Sequence, residues 1–178
     1  MRIKFLKTNL KGLLLIKRPK YFDNRGYLTE TLNTKEFFNS KINLNNTIIT
    51  ESKKNVLRGF HYQKKKPLTQ LVACIKGAVL DVVVDIRKES KTFGKYESFI
   101  LSEKNNLSLF MNEDFAHAFL TLEDNSVLIY NYKQNYIKKY DSGFIWSDSF
   151  INFKWGVKKP ILSDKDKNLK DFCTEFNL

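Results

Sequence analysis

The two histidines of the sequence, His61 and His117, each lie in a strand-like segment. Histidine titrates near neutral pH, so its imidazole can take up or donate a proton during a reaction. Arg58 lies three residues before His61, and its planar set of donors suits a phosphate. By alternation His117 shares a face with Phe115 and Phe119, a pattern more typical of a buried core histidine than of a catalyst. Arg58 together with His61 favours a functional site over a purely structural one.

Other chemistries find little support in the sequence. A metal site in a β-barrel needs three or four ligands, but the residue two after His61 is Gln63 and there is no third histidine. We therefore expect no catalytic metal. The sequence also lacks a GxxxxGK, GxGxxG or GxSxG motif. Cys74 lies in an apolar segment that disfavours a thiolate, and with Cys173 it predicts reduced thiols in a cytoplasmic protein.

Length and composition predict one folded domain spanning residues 1–178, with 42% hydrophobic and 14% aromatic residues suited to a sheet-rich core. No apolar run reaches the roughly 18 residues that a membrane span requires, so we expect no membrane partner. The net charge of +12 attracts anions in general. Nucleic-acid binding would rest on this charge alone, because the lysines are dispersed and no nucleic-acid motif is present, and we expect no such partner.

Period-two alternation predicts the elements that must position these residues. In the segment AVLDVVVDIR, side chains 78, 80, 82, 84 and 86 share one face, which predicts a half-buried strand. Further strands are predicted at 68–75, 96–101, 107–111, 115–122 and 127–132, and LRGFHYQ is also strand-like. One helix is predicted to start at Asn33, with Glu36 three residues later, and another to carry the apolar stripe Leu169, Phe172, Cys173 and Phe176. Many short strands predict an antiparallel sandwich or barrel.

A series of motifs resembles the dTDP-4-dehydrorhamnose 3,5-epimerase family. In order, they are YFDNRGYLTE, VLRGFHYQ, QLVACIKG, DVVVDIRKESKTFGK, LSEKN, FAHAF and PILSDKD, from about Tyr21 to Asp166. The resemblance implies a mostly-β, cupin-type antiparallel jelly roll with short helices, one of them at the C-terminus. It also implies a homodimer that works without cofactor or metal. The implied substrate is a nucleotide-diphospho-4-keto-6-deoxy sugar.

The resemblance also assigns roles to residues. His61 matches the base that removes a proton beside the ketone, Asp166 its carboxylate partner, and Tyr130 the proton donor on the opposite face. Such a mechanism passes through an enolate. The matching substrate contacts are Arg25, Glu30, Thr47, Arg58, Gln70, His117, Tyr136, Asp141 and Lys165. Arg25 and Glu30 match residues that bind the nucleotide partly across the dimer, and Tyr136 matches an aromatic residue that stacks on the base.

Departures from the family pattern leave alternatives open. Gln70 stands where the family usually has a lysine, and Ile48 and Ile49 lie in the strand NTIITES where the family has polar side chains. Asn112-Glu113-Asp114 replaces a Pro-x-Gly turn, and Ala118 replaces a glycine. A one-centre epimerase or keto-isomerase on another nucleotide sugar is one alternative. A non-catalytic cupin that binds a sugar nucleotide is the other.

Overall fold

The computed structural model describes residues 3–38 and 41–178, without the side chains of Glu36 and Phe38. Its strands are β1 (Lys4–Leu6), β2 (Leu13–Lys17), β3 (Tyr21–Asp23), β4 (Gly26–Leu28), β5 (Asn46–Ser52), β6 (Leu57–Gln63), β7 (Gln70–Lys76), β8 (Ala78–Asp85), β9 (Tyr96–Ser102), β10 (Leu107–Met111), β11 (Phe115–Thr121), β12 (Ser126–Tyr132) and β13 (Asp141–Phe144). The helices are α1 (Thr34–Phe38), α2 (Asp164–Lys167) and α3 (Phe172–Phe176), and a 3-10 turn covers Lys138–Tyr140.

Two antiparallel sheets face each other. The first has the strand order β1-β2-β10-β7-β12-β5 and the second the order β13-β6-β11-β8-β9. Side chains from the inner faces form one core, which includes Leu15, Val72, Val83, Leu109 and Leu128. The predicted antiparallel jelly roll with short helices is confirmed, and the predicted strands match β7 to β12 to within two residues at each end.

The outer face of the second sheet is also covered. The aromatic residues Phe144, Trp155, Phe172 and Phe176 pack on it. They bury the side chains of β8 that point away from the first sheet. The prediction that β8 is half-buried was therefore wrong, because the C-terminal segment supplies a second hydrophobic layer. Helix α3 confirms part of the predicted C-terminal stripe, since Phe172 and Phe176 are buried, whereas Leu169 precedes the helix and Cys173 is only partly buried.

The outer face of the first sheet is covered by α1 and by residues 42–44. Phe37 and Leu44 pack there against Ile16 and Phe110. Helix α1 confirms the helix predicted from Asn33, and the part of that prediction that rests on the Glu36 and Phe38 side chains lies outside the described residues. Within the described ranges, no helix combines the length and the apolar character needed to cross a membrane.

Strands β3 and β4 form a separate hairpin, here called the arm (residues 21–28). Asn106 anchors its base, since the buried Asn106 amide donates hydrogen bonds to the backbone of Arg18 and Pro19 and to the Thr29 hydroxyl at 2.8–3.2 Å. Large apolar side chains of the arm remain exposed, with Phe22 73% and Leu28 64% accessible. The arm is thus anchored at its base and carries exposed apolar side chains along its strands.

Candidate active site

The two histidines lie side by side on the second sheet. In the register of β6 and β11, His61 pairs directly with His117, and Phe119 pairs with Arg58. One residue of β11, Ala118, therefore opposes two of β6, Gly59 and Phe60, which is a β-bulge. Simple alternation would place residues 58 and 61 on opposite faces, but the bulge turns both side chains toward the inner face.

His61 is held by a buried carboxylate. Its Nε2 lies 2.6 Å from Asp166 Oδ1, and Asp166 is nearly inaccessible, whereas 31% of the His61 side chain is exposed. Ser163, the N-cap of α2, donates its hydroxyl hydrogen to Asp166 Oδ2 at 2.7 Å. With the Nε2 hydrogen directed at Asp166, a neutral His61 ring keeps its basic lone pair on Nδ1.

Glycines make this close approach possible. A Cβ on Gly59 would lie 3.2 Å from Asp166 Oδ1, and a Cβ on Gly143 would lie 2.0 Å from the Phe60 carbonyl oxygen. Gly143 is the β13 residue that pairs with His61. Side chains at these positions would push away the carboxylate or the neighbouring strand.

The charge of Asp166 is maintained despite its burial. Burial raises the pKa of a carboxyl group, but hydrogen bonding and attraction to His61, with hydrogen bonds from Ser163 and the Gly59 backbone, outweigh that effect. The pKa of Asp166 is therefore lower than its ordinary value. An ionised Asp166 can stabilise an imidazolium that forms on His61.

His117 has a buried carboxylate of its own. Its Nδ1 lies 3.2 Å from Asp81 Oδ2, and the Asp81 side chain is fully buried on the neighbouring strand β8. A buried charge needs a polar partner, and His117 supplies it among the described residues. Two histidine–aspartate pairs thus lie side by side on the inner face of the second sheet.

Tyr130 lies on β12 of the first sheet, which faces the sheet that carries the two histidines. Its ring lies 6.1 Å from that of His117. Burial raises the pKa of Tyr130 well above its ordinary value, with Tyr132 and Asp81 acting in the same direction. The phenol is consequently protonated at neutral pH and able to donate a hydrogen.

One cleft between the sheets joins most of the predicted site. Its lining includes His61, His117, Tyr130, Arg58, Gln70, Tyr136 and Asp141. Asp166 lies behind His61, and Lys165 contacts Asp141 Oδ2 at 2.5 Å. Asp141 also accepts a hydrogen bond from the Tyr136 hydroxyl at 2.7 Å, and burial followed by Asp141 raises the pKa of Tyr136 to about 12.

Three predicted substrate contacts lie outside this cleft. Thr47 alternates with the cleft-lining Ile48, so it points to the outer face of the first sheet, where it bonds to Asn131 at 3.0 Å. Arg25 lies in the arm, 86% exposed, and pairs with Asp23 at 2.6 Å. Glu30 follows the arm and accepts a hydrogen bond from Asn33. The cleft of a single chain includes none of these three side chains.

The cleft also contains residues that sequence reasoning did not assign. Asp81 supports His117, and Tyr132 lines the cleft beside Tyr130. The sequence could have identified Asp81 as a candidate, because a carboxylate within a run of valines on a strand is unusual. Tyr132 follows Tyr130 by two residues, so alternation alone would have placed it on the same face.

Known proteins with similar sequences and similar folds share one description. The family model of dTDP-4-dehydrorhamnose 3,5-epimerase matches residues 7–174. A protein of that name from Shigella flexneri is 40% identical over 172 residues, covering 94% of each chain. The crystal structure of the Bacillus anthracis epimerase with TDP and PPi bound is 34% identical, with a TM-score of 0.90 over 96% of this chain and 99% of that one. The Legionella pneumophila dTDP-6-deoxy-D-glucose-3,5-epimerase in complex with dTDP-4-keto-L-rhamnose is 29% identical, with a TM-score of 0.91 over 99% and 94%.

Proposed function

This chain belongs to the dTDP-4-dehydrorhamnose 3,5-epimerase family, and we propose that it epimerises a nucleotide-diphospho-4-keto-6-deoxy sugar at carbon 3, carbon 5 or both. The substrate is of the dTDP-4-dehydro-6-deoxyglucose type, which the nucleotide and keto sugar bound to the two solved relatives support. The observation that supports the reaction most directly is one cleft in which His61, backed by Asp166, faces Tyr130.

His61 acts as the base in this proposal. A hydrogen on the carbon beside a ketone is weakly acidic, and its removal leaves the electron pair delocalised onto the carbonyl oxygen as an enolate. The Nδ1 lone pair of His61 accepts that proton, and the carboxylate of Asp166 stabilises the resulting imidazolium through Nε2. Positioned proton transfer of this kind contributes roughly 10²–10⁴-fold.

Tyr130 acts as the acid. Inversion requires a new C–H bond on the face opposite the base, and Tyr130 stands on the opposite sheet with its phenol protonated. Donation of its hydrogen to the enolate carbon leaves a phenolate, which recovers a proton from solvent while His61 releases one. The enzyme then returns to its starting state with no net gain or loss of protons.

Charged groups along the cleft suit the rest of the substrate. As an imidazolium, His117 can keep one ring hydrogen on Asp81 through Nδ1 and donate the other, on Nε2, to the enolate oxygen. Arg58 lies exposed at the cleft, where it can bind the diphosphate. Tyr136 offers a ring for stacking of the base, and Asp141 and Lys165 lie beside it.

The arm extends the proposal to a homodimer. Its exposed Phe22 and Leu28 are apolar surface that a second copy would cover, and the arm carries Arg25. In a dimer the arm would bring Arg25 and Glu30 to the cleft of the partner subunit, the role that the family resemblance gives them.

Solvent exchange tests the reaction. The purified protein is incubated with dTDP-4-keto-6-deoxyglucose in D₂O, and deuterium at carbons 3 and 5 is followed by NMR together with product configuration. His61→Ala should abolish exchange. Tyr130→Phe should retain exchange but lose inversion, because a deuteron returned by His61 arrives on the face from which the proton left.

The outcomes separate the alternatives. Exchange and inversion at a single carbon identify a one-centre epimerase, and a product with the carbonyl moved identifies a keto-isomerase. Binding of the sugar nucleotide without exchange at either carbon contradicts the proposal and identifies a non-catalytic cupin. Repeating the assay with GDP, UDP and CDP sugars identifies the nucleotide.

A further inference from the structure

Gln70 and Tyr132 form a matched pair on the wall that carries Tyr130. In the register of β7 and β12, Gln70 pairs directly with Tyr132, and Val72 pairs with Tyr130. Directly opposed residues of an antiparallel pair have Cβ atoms about 4.5–5.5 Å apart on the same face. Both side chains line the cleft that contains His61.

The polar groups of this pair form no hydrogen bonds to other described residues. Gln70 is only 6% exposed, yet its side-chain amide has no hydrogen-bond partner among the described residues, and neither does the Tyr132 hydroxyl. Neighbouring polar residues of the same cleft differ. The Tyr136 hydroxyl bonds to Asp141, and the Gln63 amide bonds to the backbone of Ile137 and Lys66. Neither polar group is among the sealed, unpartnered atoms of the described core, so both are open to a ligand that enters the cleft.

Tyr132 is held in place as a neutral donor. Its ring lies parallel to that of Tyr130, with an interplanar angle of 8° and centroids 6.0 Å apart. Burial, followed by Tyr136 and Asp141, raises the pKa of Tyr132, so the hydroxyl keeps its hydrogen at neutral pH. An amide and a phenol on adjacent strands can therefore converge on one acceptor.

We propose that the Gln70 amide and the Tyr132 hydroxyl together donate hydrogen bonds to the ketone oxygen of the substrate and stabilise it as the enolate forms. The inference rests on the proposed function and adds two donors from the first sheet to His117, which approaches the same oxygen from the second sheet. Gln70 stands where the family usually has a lysine, so the donor at that position is a neutral amide in this chain. Preorganised neutral donors stabilise a developing oxyanion in many enzymes, and removing one typically costs roughly 10²–10³-fold in rate.

Removal of each donor tests the pair. Tyr132→Phe keeps the ring and its stacking on Tyr130, and Gln70→Leu keeps a similar side-chain volume. Each change should slow deuterium exchange by about 10²–10³-fold. Binding of dTDP, measured by calorimetry, should stay within twofold, because the nucleotide does not touch the ketone. The double variant should lose less than the product of the single losses, since both donors serve one oxygen.

A rescue experiment distinguishes chemistry from structure. Adding Gln70→Lys to Tyr132→Phe should restore exchange by at least tenfold, because an ammonium group can stabilise the same oxygen, whereas it could not repair a packing defect. Tyr96→Phe, on the remote edge strand β9, is the matched control and should leave exchange unchanged.

The results separate this inference from the proposed function. If the wild type exchanges but Tyr132→Phe and Gln70→Leu exchange equally fast, the donor pair is refuted and the proposed function stands. Slow exchange in Tyr132→Phe with no rescue by Gln70→Lys also refutes it. Absence of exchange in the wild type refutes both.

Discussion

Replacing Asp166 with asparagine removes the charge behind His61 while keeping the shape of the side chain. In the native site the carboxylate accepts hydrogen bonds from His61 Nε2 at 2.6 Å and from the Ser163 hydroxyl at 2.7 Å, one on each oxygen. An asparagine amide has only one oxygen, so one of these donors loses its acceptor. In either orientation the amide is uncharged and cannot stabilise an imidazolium on His61.

The expected loss follows from the bond that is removed. A hydrogen bond to a charged group contributes roughly 1.5–3 kcal/mol, and each 1.36 kcal/mol corresponds to a factor of ten in rate. Because Asp166 is buried and its pKa lies below the ordinary value, solvent replaces little of that interaction. Asp166→Asn should therefore slow deuterium exchange by roughly 10- to 150-fold.

The assay is deuterium incorporation from D₂O under saturating substrate, with thermal denaturation as the check on folding. Asp164→Asn is a matched control, because Asp164 lies in the same short helix but its side chain is 92% exposed and, among the described residues, pairs only with Lys167. The control should exchange at the wild-type rate. If a folded Asp166→Asn protein exchanges within twofold of the wild type, His61 does not depend on Asp166 and the dyad is not the base.

Further expectations concern stability and assembly. Gly143→Ala should lower both stability and exchange, measured by urea unfolding and NMR, because the new methyl group would lie 2.0 Å from the Phe60 carbonyl oxygen; a stable, active variant would contradict this. Hydrogen bonds from Arg87 and its neighbours outweigh burial and hold the pKa of Asp85 at about 2, so this carboxylate should contribute about 2 kcal/mol of stability above about pH 4 that is lost as the pH falls towards 2. The urea stability of Asp85→Asn should accordingly converge on that of the wild type at low pH, and a pH-independent difference would refute this. Phe22→Glu in the arm should shift the mass measured by light scattering from dimer to monomer and reduce nucleotide affinity, whereas a wild-type monomer would contradict the dimer.

Sequence patterns predicted the regular part of the fold well. Strands such as β8 and β9 carry enough residues for period-two alternation to be visible, and their predicted bounds agree closely with the structure. Strands β1, β3 and β4 have three residues each, too few for a periodic signal. The order of strands in each sheet depends on contacts between distant residues, which local alternation does not report.

The site was predictable in part. Alternation placed His117 with Phe115 and Phe119, and all three line the cleft. The bulge that brings Arg58 beside His61 has no local signal, because it arises from the pairing of β6 with β11. The placement of Thr47 on the outer face follows from alternation with Ile48, whereas its assignment came from family resemblance.

The bulge in β6 makes the number of residues between positions 58 and 61 as important as their identity. Deleting one codon there would restore regular pleating and rotate the guanidinium out of the cleft while leaving the imidazole in place. Such a variant would keep proton exchange on small ketones, which needs the imidazole, and lose affinity for diphosphates, which needs the guanidinium. Libraries intended to broaden the range of substrates should therefore vary side chains in this stretch and keep its length fixed.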